Sequence, residues 1–176
     1  MTRELLILRH GKSSWQDMDL ADHDRPLKKR GITAARKMGR YLAARGLRPQ
    51  VIISSTAERA RHTAVLACEE MGIAWQLIHL TPHLYHAPVQ AFLDQLAQCS
   101  QDVMRLMMVG HNPGMEELIA YLCGQQTPEP EDGKLLPTAA LARIAMPADW
   151  HALDHGCGNL LALIRPRLLK ANGREK

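Results

Sequence analysis

The chain has 176 residues, 46% hydrophobic and 23% charged, with a formal net charge of +4. That length suits one domain able to bury roughly 70% of its unfolded surface without staples. The balance excludes disordered and fibrous classes, and no apolar run is long enough to span a membrane. Aromatics are only 4%, so the core is expected to rest on Leu, Ile, Val, Ala and Met. Cys68, Cys99, Cys123 and Cys157 form no C-x-x-C pair and fit no zinc spacing. They read as reduced core thiols. No secretory signal is read at the start, because the first apolar run is short and leads straight into Arg9. A cytoplasmic location, with no membrane association, is the expectation.

In chain order, short apolar runs predict strands over residues 4–8, 51–54, 75–80, 105–109, 139–146 and 160–164. Helical periodicity lies between them. Residues 33–45 carry Ala35, Met38 and Leu42 on one face and Arg36, Lys37 and Arg40 on the other, with Gly46 as the stop. Further helices are predicted over 58–71, ended by Gly72, over 89–98, and over 115–122. Alternating strands and helices imply a largely parallel sheet, and the last two strands, with no helix between them, imply an antiparallel edge. The expected fold is α/β: three α/β/α layers around a mostly parallel mixed sheet of about six strands. Residues 1–170 form the single expected domain. Residues 127–133 read as a surface loop, and residues 171–176 as a polar tail expected to fray.

Three junctions carry the chemistry. The first strand ends in Arg9-His10-Gly11. In open α/β sheets, ligands bind beyond the carboxyl ends of the strands, and a guanidinium beside an imidazole suits an anion that is to be bound and attacked. The second strand leads into Ser54-Ser55-Thr56-Ala57-Glu58-Arg59. Ser55 and Glu58 have capping-box spacing, which makes Ser55 the expected N-cap and places Arg59 near the positive end of a helix dipole. The fourth strand ends in Gly110-His111-Asn112-Pro113, with Asn112 as expected N-cap and Pro113 in the first helical turn. Two histidines and two arginines at three strand ends weigh more than any one of them.

These segments resemble the histidine phosphatase, or phosphoglycerate-mutase-like, superfamily. The carriers are Arg9-His10-Gly11, then Ser54, Ser55, Arg59, Ala60, Thr63 and Ala64, then Gly110-His111. Lys12-Ser13-Ser14-Trp15, Asp24-Arg25-Pro26-Leu27, Gly31 and His111-Asn112-Pro113-Gly114 look like its short phosphohistidine phosphatase (SixA) subgroup. The resemblance implies a phosphoglycerate-mutase-like fold and a hydrolase with His10 as nucleophile, forming a covalent phosphohistidine. Arg9, Arg59 and a protonated His111 would surround the phosphoryl oxygens. Ser13, Gly11, Gly110 and His86 are the expected substrate contacts. Neither cofactor nor metal is expected, and His83 and His86 read as rim residues rather than ligands.

The region 81–88 has no carboxylate where many relatives place a general acid, and Asn112 stands where another branch has aspartate. A positioned acid typically contributes ~10²–10⁴-fold, and an alkoxide leaving group depends on it. The gap favours a phosphoramidate substrate, with His86, Asp19 or Asp22 as alternative acids. The leading expectation is a protein phosphohistidine phosphatase, monomeric or weakly dimeric, that binds no nucleic acid. The alternatives are a phosphomonoesterase of small sugar, nucleotide or aryl phosphates, and a non-catalytic phosphate-binding module.

Overall fold

The computed structural model describes residues 2–175. The elements follow as β1 (Arg3–Arg9), α1 (Lys29–Ala44), β2 (Val51–Ser55), α2 (Glu58–Met71), β3 (Ile78–Thr81), α3 (Val89–Ala97), β4 (Arg105–Gly110), α4 (Gly114–Cys123), β5 (Leu141–Met146) and β6 (Asn159–Ile164). One six-stranded sheet has the order β3-β2-β4-β1-β5-β6. β1, β2, β3 and β4 pair in parallel, and β5 pairs antiparallel with both β1 and β6. The expected three-layer mixed fold is the one observed.

β1 organises the layers. Leu5, Leu6, Ile7 and Leu8 are wholly inaccessible, as a strand covered on both faces requires. Leu5 and Ile7 meet Phe92, Leu96, Leu118 and Leu122 of α3 and α4. Leu6 and Leu8 meet Met38 and Leu42 of α1 and Ala60 and Ala64 of α2. The period of two sends alternate side chains to opposite helical layers. Cys68, Cys99 and Cys123 are buried free thiols, and Cys157 is half-buried.

Several boundaries differ from the sequence expectation. α1 begins at Lys29 rather than residue 33, with the Gly31 and Ile32 N–H groups donating to the Lys28 carbonyl. Gly31 lowers helix propensity, but the packing demands it: a Cβ there would lie 2.3 Å from the Lys12 carbonyl oxygen. The run 75–80 is a 3₁₀ turn, Trp75–Leu77, followed by the short edge strand β3. Ser55 does not cap α2. It closes β2, and Ala57 takes the N-cap position without a side-chain bond. Asn112 does not cap α4 either, because its amide donates to the Leu136 carbonyl at 3.0 Å and Pro113 holds the cap position. The tail folds back along α1: Arg40 donates to the Ala171 carbonyl at 2.7 Å, and Lys170 pairs with Arg174. Arg36 and Arg40, read from sequence as part of a basic face, are consumed by Glu69 and Glu70 of α2.

Gly31→Ala should force the Lys12 backbone away from α1. We expect a loss of about 1–3 kcal/mol, typical of overpacking, read as a lower urea midpoint with an unchanged m-value.

Candidate active site

β1 ends at Arg9, and its pairing continues into the turn. The His10 N–H donates to the Gly110 carbonyl at 3.0 Å, and the Ala139 N–H donates to the carbonyls of Arg9 and His10 at 3.1 and 3.0 Å. The backbone around His10 is thus fixed from both neighbouring strands. His10 is 8% exposed, and its Nδ1 lies 2.7 Å from the Gly11 carbonyl oxygen. A carbonyl only accepts, so Nδ1 carries the proton and the neutral ring keeps its lone pair on Nε2.

Burial pushes the His10 imidazole down to about 4. Arg59, Arg9 and Arg25 push it the same way, against the hydrogen bond to Gly11. Burial pushes His111 down to about 3, with His10, Arg59 and His86 adding to the effect and Asp22 opposing it. The two ring centroids are 5.0 Å apart. His111 Nε2 lies 2.9 Å from the Ser55 hydroxyl, and its Nδ1 is buried with no partner among the described residues. The free pocket therefore holds two neutral imidazoles, and the protonated His111 expected from the resemblance is not its resting form. The negative charge of an arriving phosphoryl group would favour protonation there.

Arg59 is also buried, and its fork is taken. Nη1 donates to the Asp22 carbonyl at 2.5 Å, and Nη2 donates to Asp22 Oδ2 at 2.9 Å. Arg25 Nη1 donates to Asp22 Oδ1 at 2.7 Å, and the Tyr85 hydroxyl donates to Oδ2 at 2.7 Å. Burial would raise the Asp22 carboxyl, but these three partners hold it far below the usual carboxylate range. A carboxylate thus sits on the guanidinium that the sequence assigns to phosphate, with the same fork geometry. Arg9 donates through Nη1 to the Leu136 carbonyl at 3.0 Å, and its Nε is buried without a partner among the described residues.

The remaining expected contacts divide. Ser13 is buried, and its hydroxyl accepts from Arg25 Nη2 at 2.6 Å. His86 lies at the rim with φ +50°, its ring 4.1 Å from that of Tyr85 and its Nε2 3.8 Å from Asp22 Oδ2. The Gly11 N–H donates to Thr63 Oγ1 at 2.9 Å, and the Gly110 carbonyl accepts from His10, so both polar groups serve the backbone. Asp19 lies exposed in the loop. His83 sits in the turn Pro82–Leu84. Among the described residues, no group of three or more His, Cys, Asp or Glu is placed to hold a metal ion.

Arg25, Tyr85, Thr63 and Ser55 were not assigned to the site from sequence. The signal for Arg25 was its i, i+3 spacing from Asp22 within Asp22-His23-Asp24-Arg25. Ser55 was hidden by its capping-box spacing, and its partner His111 lies 56 positions away.

Paired buried imidazoles and the guanidinium groups of Arg9, Arg25 and Arg59 thus meet at the carboxyl edge of a doubly covered α/β sheet. A profile of the histidine phosphatase superfamily (branch 1) matches residues 5–85. An uncharacterized protein of Mycobacterium tuberculosis is 30% identical over 164 residues, covering 91% of this chain and 100% of its own length. An uncharacterized chloroplastic protein of Arabidopsis thaliana is 37% identical over 134 residues, covering 70% of this chain and 61% of its own length. The chain belongs to the histidine phosphatase superfamily. Its structure is SixA-like: it superposes with TM-score 0.79 and 28% identity on a protein of Agrobacterium tumefaciens provisionally named phosphohistidine phosphatase SixA, covering 94% of this chain and 99% of that one. A protein histidine phosphatase SixA complexed with tungstate shares the fold at TM-score 0.78 and 22% identity, covering 93% and 97%.

Two outcomes follow from the site's charges. The two imidazoles titrate near ~6.5 when unfolded and far lower when folded. Their contribution is complete above that value and is lost as pH falls toward 4 and 3. Thermal unfolding followed from pH 7.5 to 4 should show a falling Tm, worth on the order of 3 kcal/mol for His10. The pair H10N/H111N should flatten that slope. Separately, Asp22→Ala should free the Arg59 fork and tighten inhibition by inorganic phosphate about tenfold, or roughly 1.4 kcal/mol. Unchanged inhibition would mean that the carboxylate does not compete.

Proposed function

We propose that the protein is a metal-independent phosphatase that removes phosphoryl groups from phosphohistidine in proteins, through a covalent intermediate on His10. The observation that carries this reading is the His10 ring: neutral, anchored through Nδ1 to the Gly11 carbonyl, with no hydrogen-bond partner for Nε2 among the described residues.

In the first step Nε2 attacks phosphorus, the new P–N bond forms, and the bond to the leaving group breaks. The leaving nitrogen takes its electron pair and picks up a proton from water or the site. Arg9, Arg59 and His111 bind the phosphoryl oxygens and stabilise their charge in the transition state. In the second step water attacks phosphorus, and the P–N bond to His10 breaks. Inorganic phosphate leaves, and the ring is neutral again.

The choice of substrate rests on proton supply. Asp22 is held ionised by Arg25, Arg59 and Tyr85, so it cannot donate. Burial, with Asp22 adding to it, pushes the Tyr85 phenol upward, which makes it a weak acid. An alkoxide leaving group needs a strong positioned donor, whereas an imidazole leaving group depends on one less. The name carried by the Agrobacterium tumefaciens structure supports the same substrate. Four free cysteines suit the cytoplasm as the proposed compartment.

His10→Ala should abolish turnover while leaving the Tm of the folded state measurable. Brief exposure of the wild type to labelled phosphohistidine protein should trap acid-labile label on His10. Turnover should favour the phosphohistidine protein over sugar and aryl phosphates, and a preference for a sugar phosphate would overturn the substrate assignment.

A further inference from the structure

The carboxyl edge of the sheet extends beyond the catalytic residues. His10 and His111 follow β1 and β4, and Ser55 closes β2. On the other side of β1, the antiparallel β5 begins at this same edge, where Leu141 pairs with Leu8, and β6 ends there, where Ile164 pairs with Leu141. A groove of about 310 Å³ lies over this half, lined by Lys12, Arg30, Lys134, Arg165 and Arg167, with Asp132 as its acidic member. It adjoins the catalytic turn through the main chain. Lys12 follows Gly11, and Thr138, also in the lining, precedes the Ala139 N–H that bonds to the Arg9 and His10 carbonyls.

The charges in this groove are not balanced internally. Asp132 binds Arg165 at 2.5 and 3.0 Å, which together with the Lys134 carbonyl holds Arg165 as a fixed wall. Arg167 reaches the same carboxylate at only 3.9 Å and is 70% exposed. Neither Lys12, Arg30 nor Lys134 has an ion-pair partner among the described residues. Lys28, Lys29 and Arg30 stand at the start of α1, whose first turn has no acidic residue. Cations at the positive end of a helix dipole are destabilising. By contrast, Arg36 and Arg40 further along the same helix are paired with Glu69 and Glu70. Lys12, Arg30 and Lys134 thus stand beside the site without ion-pair partners among the described residues, while Arg36 and Arg40 are neutralised.

We infer that this groove is the docking surface for an acidic face of the protein substrate, which it holds while a phosphohistidine reaches His10. The inference rests on the phosphohistidine protein reading above. Lys12, Arg30, Lys134 and Arg167 around the neutralised Arg165–Asp132 pair are complementary to clustered Asp and Glu side chains, and such a surface acts on encounter and register. It does not touch the phosphoryl group, so small substrates gain nothing from it.

The test is R30E/K134E/R167E, three exposed changes that leave the Arg165–Asp132 pair intact. A glutamate at position 30 suits the helix dipole, which favours folding. Binding of a fluorescein-labelled polyglutamate peptide, followed by anisotropy, should be at least tenfold weaker in the variant, with a flatter salt dependence. Turnover of p-nitrophenyl phosphate should be unchanged. On a phosphohistidine protein with an acidic surface, the variant's kcat/KM should fall at least tenfold. Equal peptide binding by wild type and variant, or wild-type preference for a DNA duplex over the peptide, would overturn the docking surface. Failure of the wild type to turn over any phosphohistidine protein, with peptide binding still lost in the variant, would overturn the substrate reading alone.

Discussion

Like charges crowd the centre of this molecule, and the Asp22 carboxylate is what makes the crowding tolerable. Arg25 and Arg59 both bind it, and Arg9 acts on the same His10 ring that they do. Two unit charges about 4 Å apart interact by roughly 4 kcal/mol at a protein surface, so several cations cannot share a pocket unopposed. Two devices reduce the repulsion. The imidazoles stay neutral because they are buried, and Asp22 bridges two guanidinium groups. Neutrality of His10 is also the condition for the nucleophilic role proposed for it, so the charge arrangement that stabilises the pocket would also prepare that chemistry.

That arrangement depends on backbone placement. β1 is sealed on both faces, so it cannot shift without exposing one helical layer or the other. Its turn is then clamped by the Gly110 carbonyl, by the Ala139 N–H and by Thr63, which accepts from Gly11 and donates to the Arg59 carbonyl at 2.6 Å. Thr63 thereby couples the position of His10 to the first turn of α2, where Arg59 begins. Gly11 and Gly31 allow the turn to lie directly against α1, since a Cβ on Gly11 would stand 2.8 Å from the Gly31 carbonyl oxygen.

Residues whose role follows from their own strand or helix were legible in the sequence. β2 and α2 were bounded within a residue because apolar period, Gly72 and strand length agree, and Arg9, His10, Arg59 and His111 were visible as two arginines and two histidines at strand-to-helix junctions. Residues whose role follows from distant partners were not. Asp22 and Arg59 are 37 positions apart and meet only when the loop after β1 lies across α2. The capping-box spacing of Ser55 and Glu58 pointed to a local bond, but the Ser55 hydroxyl bonds across to His111. The start of α1 was missed for the same reason, and Gly31 was noted only as part of the SixA-like pattern, because the Lys12 backbone that requires the glycine lies 19 positions earlier in the sequence.

Asp22 also bears on turnover rather than affinity. With Asp22 in place, the guanidinium groups of Arg9, Arg25 and Arg59 leave two net positive charges around neutral imidazoles. That matches a phosphoryl dianion. Without Asp22 the cage would carry three, and on the proposed mechanism free phosphate would be held more tightly after hydrolysis. Tight binding that is equal for substrate, transition state and product does not raise kcat, and product release limits many enzymes. On the proposed mechanism, the Asp22 carboxylate on the Arg59 fork acts as a competitor that returns when phosphate departs, rather than as a general acid.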